Sequence, residues 1–207
     1  MAAALVKEVP ATKTGGMMRD PEIRAVLHSR LAAREAGKDN VRIVDEMNVL
    51  AGECRIDVAV INGRLEGFEI KSERDTLERL PRQVEAYGRI FDRVTVVCAE
   101  RHLEPILATV PSWWGIDVAE ADGTNDVKLV RKRRARANRD VEPEAVARLL
   151  WRGETLAALT ELGAAHGLRS KPRQALWAAL AEVLPQTKLR ALVRERLRAR
   201  KDWLAAG

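Results

Sequence analysis

The sequence predicts an α/β fold: a layered core around a mixed β-sheet, followed by a small all-α module. Three observations predict it. Up to about residue 137, segments with apolar residues at helical spacing alternate with short strand-like runs. One such run, residues 94–99, is almost wholly apolar, the mark of a strand covered on both faces. After Asp140 the composition turns to Ala, Leu, Arg and Glu, and no strand pattern remains. The expected organisation is a loose arm over residues 1–16, a core over 17–137 and a basic helical module over 138–207.

Each element has a local reason. Asp20-Pro21-Glu22 opens the first helix, with Asp20 as cap, Pro21 in the first turn and Glu22 at the positive dipole end. Ile23, Val26, Leu27 and Leu31 keep helical spacing, and Gly37 marks the end. Strand-like runs follow at 41–50, 54–61 and 65–72, with Asn62-Gly63 in the turn between the last two. A helix is expected at 81–91, with Pro81 in its first turn, then the buried strand and a short helix at 103–109. Residues 116–119 and 127–130 read as short strands around an Asp122-Gly123 turn. Four helices are expected beyond: 142–151, 154–165, 171–183, capped by Ser170, and 187–203.

The charge is uneven. The 207 residues carry a net +6, but residues 1–127 hold 17 basic and 22 acidic side chains, residues 128–140 hold 7 and 1, and residues 141–207 hold 12 and 7. An acidic front joined to a basic back points to a polyanionic partner. No apolar run approaches the ~18 residues that span a bilayer, and the first residues lack a basic start followed by an apolar stretch. A cytoplasmic protein with reduced Cys54 and Cys98, not a membrane or secreted one, is expected. His28, His102 and His166 are scattered, and no Cys/His spacing fits zinc.

The chemistry concentrates between residues 55 and 71. Alternation sets Ile56, Val58, Val60, Phe68 and Ile70 on a core face and Arg55, Asp57, Glu69 and Lys71 on the other. Two carboxylates gathered there repel and lose solvation unless a hard divalent cation sits between them. A two-residue loop at Asn62-Gly63 would oppose Asp57 to Phe68 and mix the apolar sets. A three-residue loop, Asn62-Gly63-Arg64, opposes Asp57 to Glu69 and Val58 to Phe68, so the odd loop is expected.

Asp57, an eleven-residue gap and Glu69-x-Lys71, preceded by Gly52-x-x-Arg55 and followed by a helix with Gln83-x-x-x-Tyr87, resemble the PD-(D/E)xK nuclease superfamily. The resemblance covers roughly residues 18–135 and is similar to the RecB-type and lambda-exonuclease-type members, and to small bacterial MmcB-type DNA repair proteins. One departure is Ile56, standing where many members have proline. The resemblance implies a restriction-endonuclease-like αβββαβ core and a DNA nuclease using Mg²⁺ or Mn²⁺. On that reading Asp57, Glu69 and the Ile70 carbonyl hold the metal, with Glu46 as a further acid and Glu22 as second choice. Lys71 orients or activates the attacking water, and Gln83 and Tyr87, on one helix face, complete the site. A homo-oligomer or a protein partner is compatible with it.

Phosphate contacts are expected from Arg55, Arg79 and Arg82 beside the site and from Lys128, Arg131, Lys132, Arg133, Arg134 and Arg136 in the basic run. Of the adjacent Trp113 and Trp114, one ring is expected in the core and one on a rim. Two other readings compete with the nuclease. One is a nuclease fold kept for DNA binding or scaffolding without catalysis, and the other is a DNA-binding regulator built on the C-terminal helices.

Overall fold

The computed structural model describes residues 18–121, 126–201 and 203. The expected arm and the Asp122-Gly123 turn lie outside the described residues. The elements are α1 (Asp20–Glu35), β1 (Arg42–Val49), β2 (Cys54–Ile61), β3 (Leu65–Lys71), α2 (Leu80–Gly88), β4 (Arg93–Ala99), α3 (Leu103–Thr109), β5 (Gly115–Ala121) and β6 (Val127–Arg133), then α4 (Pro143–Ala147), α5 (Arg152–Glu161), α6 (Arg173–Val183) and α7 (Gln186–Ala199). The strands form one mixed sheet in chain order, with β3, β4 and β5 parallel and the other neighbours antiparallel.

Both faces of the sheet are covered. Ile23, Leu27 and Leu31 of α1 pack on Val58, Val60, Phe68, Ile70 and Val97. A larger cluster on the other face joins Ala59, Leu65, Val96 and Ile116 to α2, α3 and the C-terminal helices. Burying apolar surface on both sides explains why all seven residues of β3, the third strand, are withdrawn from water.

Several local expectations are corrected. Asp20 lies inside α1 rather than capping it; Glu22 closes the helix start by accepting the Arg19 N–H at 2.8 Å. β6 runs past residue 130 because β5 offers acids to its cations: Lys132 lies 3.0 Å from Glu120 and Arg131 lies 3.5 Å from Asp117. The helix expected from residue 142 stops at Ala147, since Trp151 opens α5 with its N–H held by Glu154 at 2.8 Å. Pro172, not Ser170, precedes α6 as its cap residue. α7 ends at Ala199 because Arg200 turns in to donate to Glu154 and to the Leu149 carbonyl.

The expected loop is present: Ile61 pairs with Leu65, leaving Asn62, Gly63 and Arg64 as connection. The expected single core face is not. Ile56 packs with Ala59 and Ile61, while Val58 and Val60 face α1. The phase slips where the β1–β2 ladder skips from Asp45↔Val58 to Met47↔Ile56, and Glu46 there takes a left-handed φ of 54°. Trp114 is fully buried and stacks on Tyr87 with ring centroids 6.2 Å apart, while Trp113 stays partly exposed.

Candidate active site

β2 and β3 pair from Ile61↔Leu65 to Val58↔Phe68 and then part, although both strands continue. The same register carried one step further opposes Asp57 to Glu69. In this opening the Asp57 side chain, rather than a neighbouring backbone carbonyl, accepts the Ile70 N–H at 2.6 Å. The Asp57 carbonyl accepts instead from Arg24 of α1, at 2.9 Å. The slip beside Glu46 therefore converts a ladder position into a carboxylate held at the strand fork.

Glu69 is 3% exposed and serves as a hub. Its Oε1 accepts from Lys71 Nζ at 2.8 Å and from Gln83 Nε2 at 2.6 Å. Oε2 faces the Tyr87 hydroxyl at 2.9 Å, and the same hydroxyl lies 2.6 Å from the Arg55 carbonyl. Gln83 and Tyr87 reach one acid together because they stand one turn apart on α2. Burial, reinforced by the Glu69 charge, holds the Tyr87 hydroxyl above its ordinary range, so it stays a donor.

Asp57 feels the opposite want. Burial first, and then the charge of Glu69, push its carboxyl up to about 7, against the pull of Ile70 N–H, Arg24 and Lys71. The pair is short of positive charge. Gln83 Oε1 is also buried without a hydrogen-bond partner. Two carboxylates, the Ile70 carbonyl and an orphaned amide oxygen are hard oxygen donors, the set that suits Mg²⁺ or Mn²⁺. Among the described residues no group of three or more His, Cys, Asp or Glu side chains is gathered to hold an ion. Glu46, the expected further acid, turns to Arg55 at 2.6 Å and Arg24 at 2.9 Å. Glu22 is engaged as the α1 cap.

A cleft of about 370 Å³ opens onto Asp57, Glu69 and Gln83, and Arg55, Arg79 and Arg82 line it. The three arginines expected near the site thus line its cleft. Lys71, 2.8 Å from Glu69 and equally buried, borders the cleft through Glu69 rather than lining it. Lys128, Arg131, Lys132 and Arg133 lie on β6, at the far edge of the sheet, and Arg134 and Arg136 follow that strand. Lys128 and Lys132 pair with Glu120, Arg131 pairs with Asp117, and Arg133 donates to the Trp114 and Pro111 carbonyls.

Sequence reasoning missed Arg24. Its guanidinium bridges Glu46 and Asp57, with Nη2 at 2.9 Å from one and 3.4 Å from the other, and pairs with Asp20 one turn back. Helix phase sets Arg24 only beside the buried stripe of Ile23, Leu27 and Leu31, and what it meets depends on how α1 docks on the sheet.

The chain is 32% identical over 121 residues to Protein cII of Enterobacteria phage P4, a match covering 57% of this chain and 45% of that protein, so the shared stretch spans less than half of the relative. A solved structure, a protein of unknown function from Silicibacter pomeroyi, is similar at 22% identity with a TM-score of 0.44, over 73% of this chain and 96% of that one. A family profile described as bacteriophage P4 protein cII matches residues 14–204, well over half of the sequence, and the chain belongs to that family.

Proposed function

We propose that the protein is a divalent-metal-dependent nuclease that hydrolyses phosphodiester bonds in DNA, on a restriction-endonuclease-like αβββαβ core. The observation that carries this reading is the strand fork, where Asp57 accepts the Ile70 N–H while Lys71, Gln83 and Tyr87 all bond Glu69. Asp57, Glu69 and the Ile70 carbonyl would hold Mg²⁺ or Mn²⁺, which supplies a more acidic bound water and neutralises charge on phosphate oxygens. The remaining work falls to the chain. Gln83 and Tyr87 fix the Glu69 carboxylate so that it needs no reorientation during reaction. The Lys71 ammonium, buried and 2.8 Å from Glu69, orients the attacking water and offsets charge building on the phosphate. Arg55, Arg79 and Arg82, which line the cleft, hold flanking phosphates.

A second reading, a nuclease fold retained for DNA binding or scaffolding, draws on one feature. Arg24 already supplies positive charge to Asp57 and Glu46, the kind of contact that keeps a carboxylate cluster folded without a metal. The two readings separate in one assay: labelled linear, circular and single-stranded DNA with Mg²⁺ or Mn²⁺, beside EDTA and Lys71→Ala. Metal-dependent cutting that falls by at least about 100-fold in a folded Lys71→Ala supports the nuclease. Binding without cutting on every substrate supports the scaffold.

A further inference from the structure

A large excess of positive charge lies away from this site, where β3 and β4 begin rather than where β3 ends. A cleft of about 260 Å³ between α1 and the β6 edge meets a second, of about 250 Å³, between β4 and α7. Arg64 and Arg93 line both, so the two clefts adjoin. Ten cationic side chains face four carboxylates, Glu35, Glu66, Asp92 and Asp117, across the pair.

The carboxylates are already committed. Asp117 serves Arg30 and Arg131, Glu35 serves Arg34 and Lys38, and Glu66 serves Arg34. Asp92 is bound by the Leu65 N–H and faces both Arg190 and Arg194 of α7. Arg64 and Arg93 have no carboxylate partner among the described residues, and the Arg93 Nε is buried with no acceptor. Burial and neighbouring arginines hold the Arg133, Arg190 and Arg194 guanidiniums below their ordinary range. Half-buried guanidiniums that repel one another, with a donor left unpaired between them, are a site waiting for an anion.

We infer that the two clefts form one track for the phosphate backbone of a nucleic acid strand. Guanidinium pairs match phosphate oxygens, and two adjoining clefts that share Arg64 and Arg93 suit successive phosphates on one polymer better than a single small ion. Contacts of this kind read no bases, so binding along the track is independent of sequence. The track does not rest on the catalytic reading, because it needs neither metal nor cleavage.

The test is equilibrium binding of a labelled mixed-sequence oligonucleotide in EDTA, where no cutting intervenes, over a range of salt. Arg64→Ala/Arg93→Ala removes no carboxylate's partner and should fold normally by circular dichroism. It should weaken binding by at least about tenfold and reduce the slope of log affinity against log salt by about two. Arg64→Lys/Arg93→Lys keeps the charge and should keep the wild-type salt slope, with an affinity between those of the wild type and the alanine variant. Inorganic triphosphate, titrated by calorimetry, should bind far more weakly than the oligonucleotide. Unchanged affinity and slope in the folded alanine variant overturns the track. So does triphosphate binding as tight as the oligonucleotide and lost in that variant, which would make the clefts a pocket for small phosphates.

Discussion

Asp57 and Glu69 line the same cleft at the strand fork, yet their hydrogen-bond surroundings differ. Glu69 is surrounded by Lys71, Gln83 and Tyr87, whereas Asp57 has one strong donor, Ile70 N–H, and a distant guanidinium. The sign of the resulting pH dependence follows from Asp57 being raised from 3.8 to about 7. Below about pH 4 both folded and unfolded chains carry the proton, so Asp57 contributes nothing. As pH rises from about 4 to about 7, the unfolded chain loses that proton first, and metal-free stability falls. Asp57→Asn removes this loss. Urea denaturation in EDTA at about pH 5 and about pH 8 should show the asparagine variant gaining on the wild type at the higher pH, by on the order of 2 kcal/mol. Mg²⁺ should restore wild-type stability at the higher pH and leave Asp57→Asn unmoved. A gap between the two proteins that is flat across this range would show that Arg24 alone neutralises the site.

At the scale of elements, the sheet is held by close contacts that leave no room for a methyl group. A Cβ on Gly115, the first residue of β5, would stand 2.7 Å from Thr95 Oγ1 and 2.9 Å from the Ala135 backbone nitrogen. Gly115→Ala should therefore cost about 1–3 kcal/mol, read as a lower urea midpoint with an unchanged slope. A shift below about 0.5 kcal/mol would mean that the chain after β6 yields freely. Most of this layer was legible in the sequence, because alternation and turn chemistry are local. The odd loop followed from requiring Val58 opposite Phe68 and Asp57 opposite Glu69 together, and the ladder has that register. The slip at Glu46 was not legible. Nothing in Asp45-Glu46-Met47 announces a left-handed residue, which is set by β2 across the ladder and by Arg24 arriving from α1. Of the site, the Asp57, Glu69, Lys71, Gln83 and Tyr87 set was readable because motif spacing and helix phase carry it. The place of Arg24 was not, since it depends on how a helix docks on a sheet.

For the molecule as a whole, the C-terminal helices share the core of the sheet. One apolar cluster runs from Ile56, Val94 and Ile116 through Val146 and Leu159 to Trp177, Val193 and Leu197. Polar contacts cross the same boundary: Arg42 donates to the Arg198 carbonyl at 3.2 Å and Arg198 to the Asn62 carbonyl at 3.0 Å. Trp177 pins α6 to the turn after α4 by donating to the Leu150 carbonyl at 3.0 Å, with Arg173 and Arg148 over its ring. Removing that ring opens a cavity that four packed helices cannot close, at a cost of about 3–5 kcal/mol. Against a total of about 5–15 kcal/mol for an ordinary domain, such a loss is felt everywhere if sheet and helices unfold as one. Trp177→Ala should therefore lower the urea midpoint of the whole molecule in a single transition, with far-UV circular dichroism and tryptophan fluorescence moving together. The arginine track should be lost in the same transition, because Arg93 comes from β4 and Arg190 from α7. A biphasic curve, in which the signal of buried Trp114 survives after the helices melt, would instead make the sheet a unit that stands alone.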